Sequence, residues 1–213
     1  MRHQRKHHPQ QGWFRRQLAH SEDRKSWNRV MYQAALLAPY LDQDAVVLDI
    51  GCGNGALASR MRQLTGCTVV GVDVADTQTV DLDFLVFDGA RLPCSSVDYV
   101  VFSFVLHHSR APLTLCSEAL RVARHGIFVF EDMPATLFQR MLLAVHIVLF
   151  AWLYGIQWPE TVPWKGSYVD ALTLLQSSTR AHVVDLPRSR FKVLYPVSRR
   201  FYAFLLPLAK PFT

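Results

Sequence analysis

Short apolar runs rich in β-branched residues alternate with helix-forming stretches through the first two-thirds of this chain, the signature of an α/β protein. The runs Ala45–Ile50, Thr68–Asp73, Phe84–Phe87, Val97–Ser103 and Gly126–Glu131 read as five strands. Ala56–Leu64, with Gly66 as its C-cap, and Pro112–Ala123 read as helices between them. Upstream, 1–12 reads as a disordered head, and Trp13–Pro39 holds two helical stretches. Trp27, Val30, Met31, Ala34, Ala35, Leu37 and Ala38 give the second an apolar face, and Pro39 ends it. Downstream, Leu137–Trp158 reads as a long apolar helix, Tyr168–Ser177 as a short one, and Ala181–Leu186 and Arg200–Leu206 as closing strands.

Only ten residues separate Asp73 from Phe84, and they are rich in Asp and β-branched side chains. A full crossover helix does not fit there, so a turn or loop is expected. After the first strand, Gly51, Gly53 and Gly55 stand at alternate positions before a helix start. Glycines let the backbone turn sharply and approach a ligand, and the helix start points free N–H groups at it. Asp49 lies near the end of that strand, Asp73 closes the next one about 20 residues past the glycines, and Asp88 closes the third. Three acidic strand ends on one sheet edge make a nucleoside site: Asp73 for ribose hydroxyls, Asp88 for an adenine amino group. Against a nicotinamide-binding domain, the third glycine falls one residue early for GxGxxG.

These residues, with Val97–His108 running into Leu-His-His, helix Leu115–Arg124 and the strand GIFVFED at Gly126–Asp132, resemble the class I S-adenosylmethionine-dependent methyltransferases, in their small-molecule, type 11-like branch. The resemblance covers roughly Leu41 to Pro134. It implies a Rossmann-like, doubly wound, mostly parallel sheet closed by a C-terminal antiparallel hairpin, with S-adenosyl-L-methionine (SAM) as cofactor. It implies cofactor contacts at Asp49, Gly51, Cys52, Gly53, Asp73, Val74, Asp88, Gly89, Ser103 and Phe104. Asp49 is expected to orient the glycine loop or to reach the methionine amine. The domain plan that follows is one unit over 13–213: helices at 13–40, a cofactor core at 41–134, a helical acceptor or lid region at 135–180, and closing strands at 181–213.

Methyl transfer from a sulfonium is an in-line displacement, so the protein chiefly aligns and desolvates its reactants. A hydroxyl acceptor also needs a base, and His107 and His108, after the fourth strand, are the catalytic candidates. The plainer role for either is to cap the next helix or hold the loop. Glu131 and Asp132 reach the same edge and are candidates for binding an acceptor hydroxyl or amine. A small, hydrophobic acceptor is expected from the aromatic stretch Phe150, Trp152, Tyr154, Trp158, Trp164 and Tyr168. Arg199 and Arg200, near Tyr195 and Tyr202, could flank an anionic lipid head. The competing function is a non-catalytic SAM-fold binding or regulatory protein.

Met141–Ile156 is apolar nearly all round but shorter than the roughly 20 residues of a spanning helix. A buried core helix, a pocket-lining or membrane-surface helix, and a true span are its three readings, with peripheral membrane contact placed at 137–158. The net charge of +6 is uneven: residues 1–30 carry eight Lys or Arg against two acids, and 180–213 carry seven against one. Basic ends suit anionic partners, although a solvated tail is the plainer reading. No Asp/Asn-Pro-Pro-aromatic signature follows the fourth strand, so nucleic acid is not expected as substrate. Cys52, Cys67, Cys94 and Cys116 form no CxxC pair, which points to reduced thiols and no metal site. Residues 1–11 lead into no apolar run, so no secretory signal is read and a cytoplasmic location is expected.

Overall fold

The computed structural model describes residues 28–87, 91–92, 96–109, 111–134, 136–154, 167–186 and 198–207. Helix α1 occupies residues 28–37 and runs into a 3-10 turn at Ala38–Tyr40. Then come β1 (Val46–Ile50), α2 (Ala56–Thr65), β2 (Thr68–Asp73), β3 (Asp83–Val86) and β4 (Val97–Ser103). A 3-10 turn at Leu106–His108 leads to α3 (Pro112–Val122), β5 (Ala123–Met133), α4 (Leu137–Tyr154), α5 (Ser167–Ser178), β6 (Arg180–Asp185) and β7 (Ser198–Leu205). The seven strands form one sheet in the order β3-β2-β1-β4-β5-β7-β6. β3 through β5 are mutually parallel, and β7 runs antiparallel to both β5 and β6. Strand order reverses between β1 and β4, the switch point where open α/β sheets take ligands at their carboxyl edge.

Alternation along the central strands divides the core between the two faces of the sheet. Leu48, Ile50, Val100, Phe102, Ile127, Val129, Tyr202 and Phe204 meet α3 and α5 through Leu115, Cys116, Ala119, Ala171, Leu172 and Leu175. Val47, Val101, Phe128, Phe130, Phe201 and Ala203 meet α1 and α2 through Val30, Ala34, Leu37, Leu57, Ala58 and Met61. Helix α2 ends as its sequence predicts: Gly66 is left-handed and its N–H reaches the Arg62 carbonyl at 2.9 Å.

Residues 74–82 form neither helix nor strand, as their composition predicts. The consequence shows in β3, where Leu85 and Val86 are exposed because no crossover helix covers them. β5 runs from Ala123 to Met133, longer at both ends than predicted, because β4 pairs with its start and β7 with its end.

On α4, one set of apolar side chains faces solvent. Leu137, Phe138, Met141, Val145 and Val148 are exposed, and Ala144 is buried. Among the described residues, no helix is long and apolar enough to cross a membrane. The first N-terminal helical stretch, Trp27, Cys94, residues 155–158, Trp164 and Tyr195 lie outside the described residues.

Candidate functional site

The carboxyl edge of the sheet at the switch point carries two groups of polar residues, one around the glycine loop and one at the ends of β4 and β5. In the first, Gly51 and Cys52 donate their N–H groups to the Val72 carbonyl, and Gly55 donates to Cys52. Gly53 N–H goes to Asp73 Oδ2 at 2.8 Å, and Val74 N–H to Asp73 Oδ1 at 2.7 Å. The loop is thus oriented by Asp73 and by the β2 backbone. Oδ2 thus spends one acceptor position on the loop and Oδ1 one on the residue after β2, and an ionised carboxylate offers about four in all.

Asp49 does not orient the loop. It is buried, and among the described residues neither of its oxygens has a hydrogen-bond partner. Burial, helped by the neighbouring Asp73 charge, pushes its carboxyl up to about 7. An orphaned buried carboxyl calls for a cationic or hydrogen-donating ligand. In the loop that follows, Gly53 is left-handed at φ +54°, and a Cβ built there would meet nothing within 4 Å. The loop thus opens on free space at Gly53, while the unmatched Asp49 carboxyl lies shielded from solvent at the end of β1. Cys52 packs its sulfur over Gly71, and burial raises its thiol to about 12, so it is a packing residue with no nucleophilic character.

Gly51 is left-handed at φ +72°, and a Cβ there would drive into the Val105 side chain. Gly51→Ala should therefore push the loop and the residues after β4 apart. We expect at least a tenfold loss of S-adenosylhomocysteine affinity, read by calorimetry, with Gly53→Ala milder because its front is open.

In the second group, Glu131 is fully buried on β5. Its Oε2 accepts Leu106 N–H at 3.1 Å and its Oε1 accepts Asp132 N–H at 3.0 Å. Oε1 also meets His107 Nδ1. Burial pulls the His107 imidazole down, but Glu131, seconded by Asp132, more than offsets this and leaves it above the ordinary histidine value. The carboxylate thus fixes Nδ1 as the protonated nitrogen and leaves Nε2 to accept a proton. The His108 ring lies 3.9 Å from that of His107, and Tyr168 on α5 donates its hydroxyl to the Asp132 carbonyl at 3.3 Å. Asp132 Oδ1 takes Arg199 Nε from β7 at 2.9 Å.

Ser103 Oγ, at the end of β4, accepts Gln33 Nε2 of α1 at 2.8 Å. Phe104 follows in the left-handed region at φ 58°, where a bulky residue is strained. Its ring is contacted by two guanidinium groups, those of Arg29 and Arg199.

The structure thus brings Asp49, Gly51, Cys52, Gly53, Asp73 and Val74 together at the loop, and Ser103, Phe104, His107 and His108 beside it. Asp88 and Gly89 lie outside the described residues. Sequence reasoning missed Gln33 and Arg29. The signal for Gln33 was a polar residue inside the apolar stripe Val30, Ala34, Leu37; Arg29 left none.

The methyltransferase-domain family model matches residues 48–130, spanning the glycine loop through β5. Over 101 residues the chain is 36% identical to the ribosomal protein L11 methyltransferase of Methylobacillus flagellatus, covering 42% of this chain and 32% of that protein. The chain therefore spans about a third of the length of that relative. Among solved structures it is similar to magnesium protoporphyrin IX methyltransferase from Synechocystis PCC 6803 with bound S-adenosylhomocysteine, at 18% identity and TM-score 0.60, covering 85% of this chain and 84% of that one. It is also similar to geranyl diphosphate C-methyltransferase from Streptomyces coelicolor A3(2), at 14% identity and TM-score 0.59, covering 83% and 79%. The matched segment and these neighbours agree on the fold: the sheet has the Rossmann-like architecture of the methyltransferases, and residues 48–130 match the methyltransferase-domain model.

Proposed function

We propose that this chain is a methyltransferase that uses SAM to methylate a small, apolar acceptor. The observation that carries the reading is the glycine loop itself, open at Gly53 and held there by Asp73, after a strand that ends with the orphaned Asp49 carboxyl. Bound there, SAM supplies an electrophilic methyl group. Asp49 would hold the amine of its amino-acid portion, Asp73 would keep acceptor capacity for ribose hydroxyls, and Ser103 and Phe104 would offer backbone contacts. His107, held at Nδ1 by Glu131, would take a proton from the acceptor hydroxyl on Nε2, and His108 stands beside it as the second candidate. Residues 13–40, 41–134, 135–180 and 181–213 then serve as N-terminal helices, cofactor core, acceptor region and closing strands of one domain.

The exposed apolar side of α4, starting four residues after β5, supports a small apolar acceptor more than a protein one. The bacterial relative is named for a protein acceptor, whereas both structural neighbours are named for small molecules.

Calorimetric titration of the full chain with SAM and S-adenosylhomocysteine tests the reading, and micromolar binding of both is expected. Asp73→Ala should weaken both by more than tenfold, as expected on losing charge-assisted hydrogen bonds worth roughly 1.5–3 kcal/mol. Unchanged affinity in the variant would refute the role of Asp73, and no binding by the wild type would overturn the proposal.

A further inference from the structure

We infer that Gln33 of α1 is a positioning residue: it turns the Ser103 hydroxyl outward, as the donor for the carboxylate of the cofactor's amino-acid portion. This rests on the methyltransferase reading and adds α1 to its cofactor site.

Of the buried polar side chains among the described residues, Asp49, His107, Glu131 and Asp132 belong to the two groups at the carboxyl edge. Gln33 is the fifth, 2% exposed on a helix whose other buried residues are Val30, Ala34 and Leu37. A buried amide is costly unless it is matched, and the match here is long-range: Nε2 donates to Ser103 Oγ at 2.8 Å, 70 positions away in sequence. Helix α1 precedes residues 48–130, the segment matched by the methyltransferase-domain model, so that match implies nothing about Gln33.

A serine hydroxyl has one proton to give and two lone pairs. With the Gln33 amide donating to Oγ, that proton has to turn away from the amide, and among the described residues no acceptor takes it. Ser103 is half-buried rather than enclosed. Its place is set by strand register. Asp49 stands opposite Val101 and Ile50 opposite Phe102, which brings Ser103 level with Gly51 of the glycine loop. Side chains alternate along a strand, and Val47 and Val101 both lie in the core shared with α1 and α2. Asp49 and Ser103, each two residues further on, therefore occupy that same face of the sheet. With strands about 4.8 Å apart and a rise of about 3.3 Å per residue, their Cα atoms are about 8 Å apart.

Beyond Ser103 the chain turns through Phe104, left-handed at φ 58°, into Val105, which closes on Gly51. Such strain persists only where surrounding structure enforces it. Phe104 N–H is held by the Phe130 carbonyl at 2.8 Å, and Gln33 holds the residue before it. One face thus carries an orphaned acid suited to an ammonium group and, on the next strand, an aligned hydroxyl suited to a carboxylate. An α-amino acid presents both groups on one carbon.

The probes are S-adenosylhomocysteine and its decarboxylated form, which keeps the nucleoside, sulfur and amine. Both are titrated calorimetrically into the full chain, the weaker by displacing the stronger. The wild type should prefer S-adenosylhomocysteine about tenfold or more, the scale of a hydrogen bond to a charged group. Ser103→Ala should erase most of that preference, and Ser103→Thr, which keeps the hydroxyl, should retain it. Gln33→Met, of similar length but without a donor, should cut the preference about threefold or more and leave affinity for the decarboxylated form unchanged. In the Ser103→Ala background Gln33→Met should have no further effect, because it acts through the hydroxyl. Gln33→Asn, which withdraws the amide by one methylene, is the second variant should methionine disturb folding. The inference is overturned by a wild type without preference, or by a preference that survives Ser103→Ala or both Gln33 variants. Equal weakening of both probes by the Gln33 variants would also overturn it, since that marks a merely structural role. In each of these cases S-adenosylhomocysteine still binds and the methyltransferase reading stands. If it does not bind the wild type at all, the reading beneath fails and the inference with it.

Discussion

At pH 8, Asp49→Asn should raise the midpoint of urea unfolding and weaken S-adenosylhomocysteine binding at least tenfold. A gain in stability paired with a loss of binding is the mark of a group kept for its ligand. Asp49 is buried with no hydrogen-bond partner among the described residues, and burial together with the Asp73 charge raises its carboxyl from the ordinary 3.8 to about 7. Between those two values the native state holds a proton that the unfolded chain has released, so stability falls as pH rises. The stability is fully present below the unfolded value, drains away up to about pH 7, and is flat above it as far as this group is concerned. A rise of that size corresponds to about 4 kcal/mol. The amide relieves that charge but leaves its own polar atoms unmatched, a cost of about 1–3 kcal/mol, so a smaller net gain remains at pH 8. The variant's stability should also lose most of its slope between about pH 4 and 7. Binding should move the other way, because an amine in the pocket draws Asp49 to the carboxylate, and wild-type affinity should climb as pH rises through about 7. Equal unfolding midpoints at pH 8, with equal affinity, would mean that Asp49 is neither strained nor a ligand group.

Much of this edge could be read from the chain because its signals are local. The alternation of Val46–Ile50 and Val97–Ser103 depends on burial of both strand faces, and the helix-poor link after Asp73 depends on length and composition. Gly51, Gly53 and Gly55 announce backbone angles that few other residues adopt, and all three are left-handed. Sequence could not show which acid holds the loop. Asp49 and Asp73 are equivalent in a pattern, and only the register of β1 on β2 sets the Asp73 carboxylate against Gly53 N–H. The Glu131–His107 contact was hidden for a related reason. It joins the end of β5 to a 3-10 turn after β4, and the facing of those side chains depends on how far β5 extends. α4 was ambiguous for the opposite reason, since an all-apolar helix has the same pattern whether a core, a ligand or a membrane surface covers it. Arg29 and Gln33 become meaningful only once α1 packs across the ends of β4 and β7.

Glu131→Gln should move the His107 titration from above the ordinary histidine value to below it, read from imidazole ¹⁵N shifts of the full chain. Burial pulls a histidine down, and here the Glu131 carboxylate reverses that pull, with Asp132 as a smaller helper. Removing the charge while keeping the shape leaves burial dominant. The wild-type contribution to stability has a defined window. The native imidazole binds its proton more tightly than the unfolded one, so the benefit is complete below pH 6.5 and is lost as pH rises through the higher folded value. Glu131→Gln should erase that dependence. Glu131→Ala should do more damage, because it also strips the acceptor from Leu106 N–H and Asp132 N–H in a buried site. A cost of about 3–5 kcal/mol is expected, the scale of breaking a buried ion pair from one side. The tautomer gives an independent check: in the wild type, once the imidazole is neutral, the proton should reside on Nδ1, facing the carboxylate. A glutamine side chain offers either an acceptor or a donor there, so the preference should weaken even where folding is unaffected. If the glutamine variant leaves both titration and tautomer unchanged, Glu131 does not govern the imidazole, and the proposed base shifts to His108.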